Sequence, residues 1–293
     1  RAIFLGSPQD RVPKKLNAKS KGKENTHFLS SDERALDVFY RHIKGLGGGY
    51  MGVGSDQAYL FIGWMRADLA WLTDYDPWIG ALHRAYAILF TTYTTPDAFF
   101  EAWSKRAYPR TRELIRKATQ DEPGQALVLK VVRRARGRIR GRLRYLRYRL
   151  KRRKVPSYIT DQGQYDYVRG LIKAGRVRSL LANLLDTSGI KGVSKAARAL
   201  KVPIRVLYLS NAEEYWSYSA QFRANIRSIP FDAKSMVIRA TVSKTSVNKD
   251  YRYHVQGGTN FQAWLAAPWV KRVYQMITKF RVKGRFHYPL SIT

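Results

Sequence analysis

The chain has 293 residues, 45% of them hydrophobic, which is enough for one large globular domain or two modest ones. Its 54 basic and 21 acidic residues give a formal net charge of +33, and a field of that sign attracts nucleic acid first, and anionic membrane surfaces or acidic glycans second. The lack of cysteine excludes disulfides, thiolate zinc sites and a cysteine nucleophile, and no run of eighteen uncharged apolar residues is present to span a bilayer.

The predicted elements alternate between helices and strands along the chain. Residues 1–26 are polar, lysine-rich and aperiodic, so we expect a disordered basic arm there. Ser31 is predicted to cap a helix that runs to about Lys44. Further helices are predicted at about 57–66, from Pro77, at 96–103, 110–119, 126–153, 165–173 and 190–200, and one helix is expected within 258–277. Strands are predicted at 50–53, 69–73, 177–185, 204–209 and 236–242. This alternation predicts one α/β domain over residues 27–293, Rossmann-like, with a mostly parallel sheet flanked by helices.

The most basic part of the chain is residues 130–154, with fourteen Arg or Lys and no acidic residue. Its apolar residues fall at helical spacing, which predicts a long Arg-rich amphipathic helix inside an insertion at 126–156. We expect cations outside the apolar stripe to bind a polyanion through its phosphates. The residues chosen for this role are Arg138, Arg142, Arg149 and Arg153. A solvated helix without a binding role is the alternative.

A strand-to-helix turn with two glycines follows the first predicted strand, at Gly52 and Gly54. Asp74 ends the next strand, twenty residues after Gly54. In a Rossmann-type site, such glycines let the backbone approach a ligand and such a carboxylate accepts ribose hydroxyls. We therefore predict that Gly52, Gly54, Asp56 and Asp74 bind an adenosine-type cofactor. The third glycine of the fingerprint is replaced by Gln57, which disfavours a pyrophosphate ligand. An ordinary tight turn remains the alternative.

Acids and amides also follow the other predicted strands, and ligands of open parallel sheets bind at these carboxyl ends. The side chains concerned are Asp74, Asp76, Asn183, Asp186, Asn211, Glu213 and Glu214. They predict a pocket opposite in sign to the surface, although such acids also serve as helix caps and partners for Arg. The histidines are isolated in the sequence, so no metal site is predicted.

Four ordered segments carry a resemblance to a known family: GGYMGVGSDQAYLFI, LAWLTDYD, LSNAEEYW and FRANIRSIPFDAKSMVIR. They resemble an uncharacterised bacterial family with class I methyltransferase-like architecture. The match covers about residues 27–120 and 158–245, and the Arg-rich insertion departs from it. The resemblance implies S-adenosylmethionine as the cofactor, and Asp186 or Asn211 would then face the methyl acceptor.

Two functions stay open at this point. The first is a methyltransferase-like enzyme that uses S-adenosylmethionine and recruits an anionic partner through the basic helix. The second is a catalytically inactive, exported polyanion-binding module on the same scaffold. The absence of cysteine and a first residue other than Met are the grounds for expecting export.

Overall fold

A seven-stranded sheet runs through the protein in the computed structural model, which describes residues 1–16, 24–242, 251–277 and 286–287. The strand order is β3-β2-β1-β4-β5-β6-β7. β1 to β5 are parallel, β6 is antiparallel to β5, and β7 is parallel to β6. The predicted Rossmann-like, mostly parallel sheet is confirmed. The strands are β1 Gly49–Gly52, β2 Leu69–Asp74, β3 Val177–Leu181, β4 Ile204–Tyr208, β5 Met236–Val242, β6 Tyr251–Gly257 and β7 Phe286–His287.

Helices cover both faces of the sheet. They are α1 Ala2–Leu5, α2 Tyr40–Ile43, α3 Gln57–Met65, α4 Pro77–Thr92, α5 Pro96–Ala102, α6 Tyr108–Ala118, α7 Gln125–Arg152, α8 Gln162–Lys173, α9 Gly189–Ala199, α10 Ala220–Ser228 and α11 Gly258–Ala266. Short 3-10 helices lie at Leu36–Phe39, Ala212–Tyr215 and Val273–Gln275. Among the described residues, no helix is both long enough and apolar enough to cross a membrane.

Alternate side chains of each central strand enter two separate cores. On β1, Tyr50 packs with α3, α4, α7 and α8 on one face, whereas Met51 packs with α1, α9, α10 and α11 on the other. This is why the central strands are apolar almost throughout, as expected for parallel strands buried on both sides. The chain reverses direction across the sheet between β1 and β4, and that is where ligands bind in open α/β sheets.

The predicted helix starting at Ser31 is wrong. The first helical turn starts at Leu36, as a 3-10 helix. Ser31 does accept a hydrogen bond from the Glu33 N–H, at 3.1 Å. The chain does not continue as a helix from there, because the Glu33 carboxylate is buried against Tyr208 and Ser210 at the end of β4. One strand boundary also differs, because β3 ends at Leu181 rather than at 185. The helix expected within residues 258–277 is present as α11.

The first sixteen residues do not form the expected disordered arm. Phe4 is 2% exposed and packs against Trp71, with ring centroids 4.9 Å apart. The Asp10 carboxylate accepts the N–H groups of Ser188 and Gly189, both at 2.9 Å, where α9 begins. The apolar contact of Phe4 and the cap formed by Asp10 thus hold in place a segment whose average composition is typical of disordered chains. Residues 17–23 of that predicted arm lie outside the described residues.

Candidate functional site at the carboxyl edge of the sheet

The turn after β1 and the end of β2 are in direct contact. The Gly54 N–H donates to Oδ2 of Asp74 at 3.0 Å, and the Asp76 N–H donates to Oδ1 at 3.0 Å. Gly54 has φ +87°, a left-handed conformation that glycine adopts without strain. Burial raises the pKa of Asp74 to about 6. The structure therefore brings two of the sequence-predicted residues, Gly54 and Asp74, into one hydrogen-bonded unit at the carboxyl ends of β1 and β2.

Gln57 occupies the position where the third glycine of the fingerprint would stand, and its side chain folds over the turn. Oε1 accepts from the Ser55 N–H at 3.2 Å, and Nε2 donates to the Val53 carbonyl at 3.5 Å. A Cβ added to Gly54 would lie 2.2 Å from Nε2. Because these N–H groups of the turn are bound within the protein, the turn does not present the open cradle that a pyrophosphate requires. A ligand that carries no phosphate does not need it.

Asp56 has a different role from the one predicted. Its side chain is fully buried, where Oδ2 pairs with Nε of Arg142 at 3.1 Å and Oδ1 accepts from the Ser31 N–H at 2.8 Å. Arg142 is 8% exposed. Asp56 is thus an internal anchor for α7, and the prediction that Arg142 points outward to a polyanion is wrong.

His83 contacts the glycine turn after β1, and the sequence did not predict a role for it. Its Nε2 lies 2.9 Å from the Gly54 carbonyl, and its Nδ1 lies 2.9 Å from the Tyr59 hydroxyl. Burial lowers the pKa of His83 to about 4, so the ring is neutral at pH 7. With one proton on the ring, Nε2 donates to the carbonyl and Nδ1 accepts from the hydroxyl. His83 could not be recognised from spacing, because its partner on the turn lies 29 residues earlier.

A cavity of about 670 Å³ opens beside this unit. Its walls come from α4, the start of α7, and β3, and Asp74, Asp76 and His83 are among its lining residues. Arg84 and Glu122 form an ion pair on its wall. This volume lies within the range of small-molecule sites.

Residues 27–35 cross the carboxyl ends of three strands, and we call this segment the crossing segment. His27 Nδ1 lies 2.8 Å from Oδ2 of Asp76, which follows β2, and the His27 ring stacks on Trp78 with centroids 3.9 Å apart. The Ser31 N–H binds Asp56, which follows β1. Glu33 then accepts from groups at the end of β4. The crossing segment therefore covers part of the carboxyl edge of the sheet.

Asp186 and Asn211 also lie at the carboxyl edge, after β3 and β4. Oδ1 of Asp186 accepts from the Thr187 N–H at 2.7 Å. Asn211 opens the 3-10 helix after β4, with Nδ2 3.4 Å from the Tyr215 hydroxyl. The preceding residue, Ser210, has φ +51°, which is unusual for a residue with a side chain and tends to occur at functional sites.

The last two strand-end acids have structural partners. Glu213 is buried, with Oε2 3.0 Å from Nη1 of Arg239, and its Oε1 accepts from the Tyr218 hydroxyl at 2.6 Å. Glu214 accepts from the Val242 N–H at 2.9 Å. Within the part of the chain that the structure describes, no three histidine or carboxylate side chains cluster closely enough to hold a metal ion.

Comparison with known proteins assigns a family to the chain. A family model described as "Domain of unknown function (DUF7790)" matches residues 28–291. The chain belongs to this family.

Solved structures similar to this DUF7790 member include two of the rRNA methyltransferase aviRa from Streptomyces viridochromogenes. The 2.4 Å structure shares 12% identity at a TM-score of 0.30, over 84% of this chain and 81% of that chain. The 1.5 Å structure shares 11% identity at a TM-score of 0.29, over 72% of this chain and 73% of that chain. No curated protein matches the chain.

The matched DUF7790 region includes α7. Several cations of this helix are paired with carboxylates of the body: Arg140 with Glu101, Arg142 with Asp56, Arg147 with Asp97, and Arg149 and Arg153 with Asp37. Among the predicted polyanion ligands, Arg149 is therefore engaged by the body, Arg153 is 62% exposed at 3.7 Å from Asp37, and Arg138 is exposed. Arg142 and Arg149 are thus held by the body instead of facing a polyanion, whereas polyanion binding by Arg138 and Arg153 stays a prediction.

Proposed function

We propose that the protein is a methyltransferase-like enzyme that binds S-adenosylmethionine at the carboxyl edge of the sheet and engages an anionic partner through α7. The observation that carries the proposal is the Asp74 carboxylate at the end of β2, linked to Gly54 and bordering the cavity. The Asp74 carboxylate has about four acceptor sites and takes backbone hydrogen bonds from Gly54, Asp76 and Tyr75, so it retains acceptor capacity for a ribose hydroxyl. The closed turn at Gln57 is compatible with this cofactor, which carries no phosphate.

The residues of the edge have separate tasks in this proposal. S-adenosylmethionine supplies an activated methyl group. Asp74 binds its ribose, and the neutral His83 holds the Gly54 carbonyl so that the turn keeps its shape. Gly54 gives the turn its left-handed conformation, and Gly52, where a Cβ would lie 2.3 Å from the Tyr50 hydroxyl, lets the end of β1 pack closely. Asn211 and Asp186 supply polar groups toward the methyl acceptor.

Calorimetric titration with S-adenosylmethionine tests the proposal. Asp74→Ala should weaken binding by about 1.5–3 kcal/mol, the loss expected for hydrogen bonds to a charged group. Asp97→Ala is the matched control, because Asp97 lies on α5 with a side chain 79% exposed. Equal affinity in the two variants would refute the placement at Asp74.

A second function is favoured by the contacts of the turn itself. Since Gln57 and Asp74 already bind N–H groups of the glycine turn, the scaffold is also compatible with a protein that has no cofactor. In that case the chain is a catalytically inactive polyanion-binding module. If the protein binds a polyanion but binds no adenosine compound, that result would support this second function.

A further inference from the structure

The outward face of α7 carries a row of cations that no carboxylate among the described residues neutralises. We call it the outer stripe: Lys130, Arg133, Arg134, Arg138, Arg144, Lys151 and Arg152, all of them exposed. From its first to its last residue it extends about 33 Å at the rise of an α-helix. The opposite face is buried through residues such as Val132, Ile139, Leu143 and Leu150. Because that face packs on the body of the protein, α7 presents the outer stripe in a preformed arrangement.

This arrangement is unfavourable without a partner. Like charges three or four residues apart repel one another on a helix, as Lys130 and Arg134 or Arg134 and Arg138 do here. Lys130 and Arg134 also lie over the Trp78 ring, 5.3 and 5.6 Å from its centroid. That contact positions the cations without removing their charge. An external polyanion would neutralise them.

Two glycines interrupt the outer stripe at its middle. A Cβ added to Gly137 or Gly141 would meet nothing within 4 Å, so packing against the body does not require glycine at either position. Each glycine costs about 1 kcal/mol of helix stability relative to alanine. Between Arg134 and Arg144 the bare backbone forms a shallow notch, where the backbone of a bulky ligand can approach closely.

We propose that the outer stripe docks on the sugar-phosphate backbone of a nucleic-acid duplex. The inference rests on the anionic partner in the proposed function and is independent of S-adenosylmethionine. The length of the stripe equals about one helical turn of duplex DNA, roughly 34 Å. The phosphates of a duplex are regularly spaced, and the five arginines of the outer stripe can each bind phosphate in a bidentate manner.

Other polyanions fit the outer stripe less well. Single strands are usually held by several aromatic side chains that stack on bases. Within α7, all of which the structure describes, only Tyr148 offers a largely exposed ring, at 64% exposure. Membrane-surface helices insert large apolar side chains beside their cations. The face that carries the outer stripe has none apart from Tyr148.

Fluorescence anisotropy with a labelled 20-base-pair DNA duplex, read over a series of salt concentrations, tests this inference. If seven cations engage phosphates, the slope of log K against log salt should be about −6. Arg133→Gln with Arg144→Gln should reduce the slope by about 2, or about 1 per lost contact. The matched control is Arg140→Gln with Arg147→Gln, which removes the same charge from the same helix. Because those arginines face Glu101 and Asp97, we expect the control slope to change by less than half as much.

Three outcomes would overturn the inference. The first is an equal slope change in the two double variants, which indicates net charge alone. The second is tighter binding of a single strand than of the duplex, and the third is tighter binding of anionic phospholipid vesicles. The same variants are titrated with S-adenosylmethionine. If the unaltered protein docks on the duplex but does not bind S-adenosylmethionine, the enzyme proposal is rejected. If it binds S-adenosylmethionine but not the duplex, the outer-stripe inference is rejected.

Discussion

Glu33 links the crossing segment to the sheet through a buried carboxylate. It is 1% exposed, and it accepts from the Tyr208 hydroxyl at 2.6 Å and the Ser210 hydroxyl at 2.7 Å. Burial, which outweighs these two hydrogen bonds and the charge of Arg142, raises the pKa of Glu33 from 4.5 to about 7. The folded protein therefore binds a proton at Glu33 at pH values where the unfolded chain has released it.

Stability should fall with rising pH because of Glu33. Its contribution is fully present below pH 4.5, decreases as the unfolded chain ionises, and is lost as the pH passes about 7. The shift corresponds to as much as about 3 kcal/mol of unfolding free energy between pH 4.5 and 8. Glu33→Gln should remove this loss, as urea unfolding of both proteins at pH 5 and pH 8 would measure.

The pKa values of Asp74 and His83 also differ between the folded and unfolded states, so both residues contribute to the pH dependence of stability. The contribution of Glu33 is therefore measured as the difference between wild type and Glu33→Gln. Glu113→Gln serves as the control, since that carboxylate is about half exposed and paired with Arg116. Wild type and Glu33→Gln losing equal stability between pH 5 and pH 8 would show that Glu33 is ionised in the fold.

Single residues of the site differed in how far the sequence could predict them. Gly54 and Asp74 were predictable, because parallel neighbouring strands place their ends together and the twenty-residue spacing is that of a Rossmann unit. The contact between Glu33 and Tyr208 was not, since it joins residues 175 positions apart. The local pattern of Ser31 and Glu33 suggested a cap, and tertiary contacts overrode it.

At the scale of elements, α7 was predicted within one residue at each end, and its apolar stripe is buried as expected. The error concerned Arg142. It follows Ile139 by three residues and precedes Leu146 by four, so helical spacing places it on the buried arc. A carboxylate partner was needed at that position, and Asp56 supplies it from 86 residues earlier in the chain. Helical spacing was therefore sufficient to place Arg142 on the buried side, which the prediction overlooked, but it could not identify the partner of Arg142.

The buried pair predicts how strongly α7 depends on Arg142. Arg142→Gln should lower the free energy of unfolding by about 3–5 kcal/mol, because it leaves the Asp56 carboxylate buried without its countercharge. Arg133→Gln, which removes the same charge from the exposed face, should change it by no more than about 0.5 kcal/mol. Chemical denaturation of the two variants measures both values. Similar values for the two variants would mean that the pair contributes little to the fold.

At the scale of the whole molecule, the alternation of strands and helices was sufficient to predict the fold class. The strand order was not predictable from periodicity, because which strands become neighbours depends on long-range packing. The described N-terminal segment was missed for a related reason. Its average composition is polar, whereas its position depends on two side chains, Phe4 and Asp10.

The N-terminal segment also shields the sheet from other chains. β3 is the outermost strand on its side, and exposed edge strands pair readily with other molecules and cause aggregation. The Asp10 N–H donates to the Leu181 carbonyl at 2.9 Å, and Oε1 of Gln9 accepts from the Leu181 N–H at 2.8 Å. Arg178 donates to the Ser7 carbonyl at 2.7 Å, so the segment covers this edge at more than one point.

Removal of residues 1–10 should therefore increase self-association relative to the full chain, as light scattering after gel filtration would detect. Phe4→Ala is the control, because it removes an anchor from the core while the backbone cover of β3 remains. It should lower the melting temperature without forming larger species. If the shortened chain does not self-associate at high concentration, β3 does not need the N-terminal segment as a cover. If it does self-associate, the ten residues protect this basic protein from edge-to-edge aggregation.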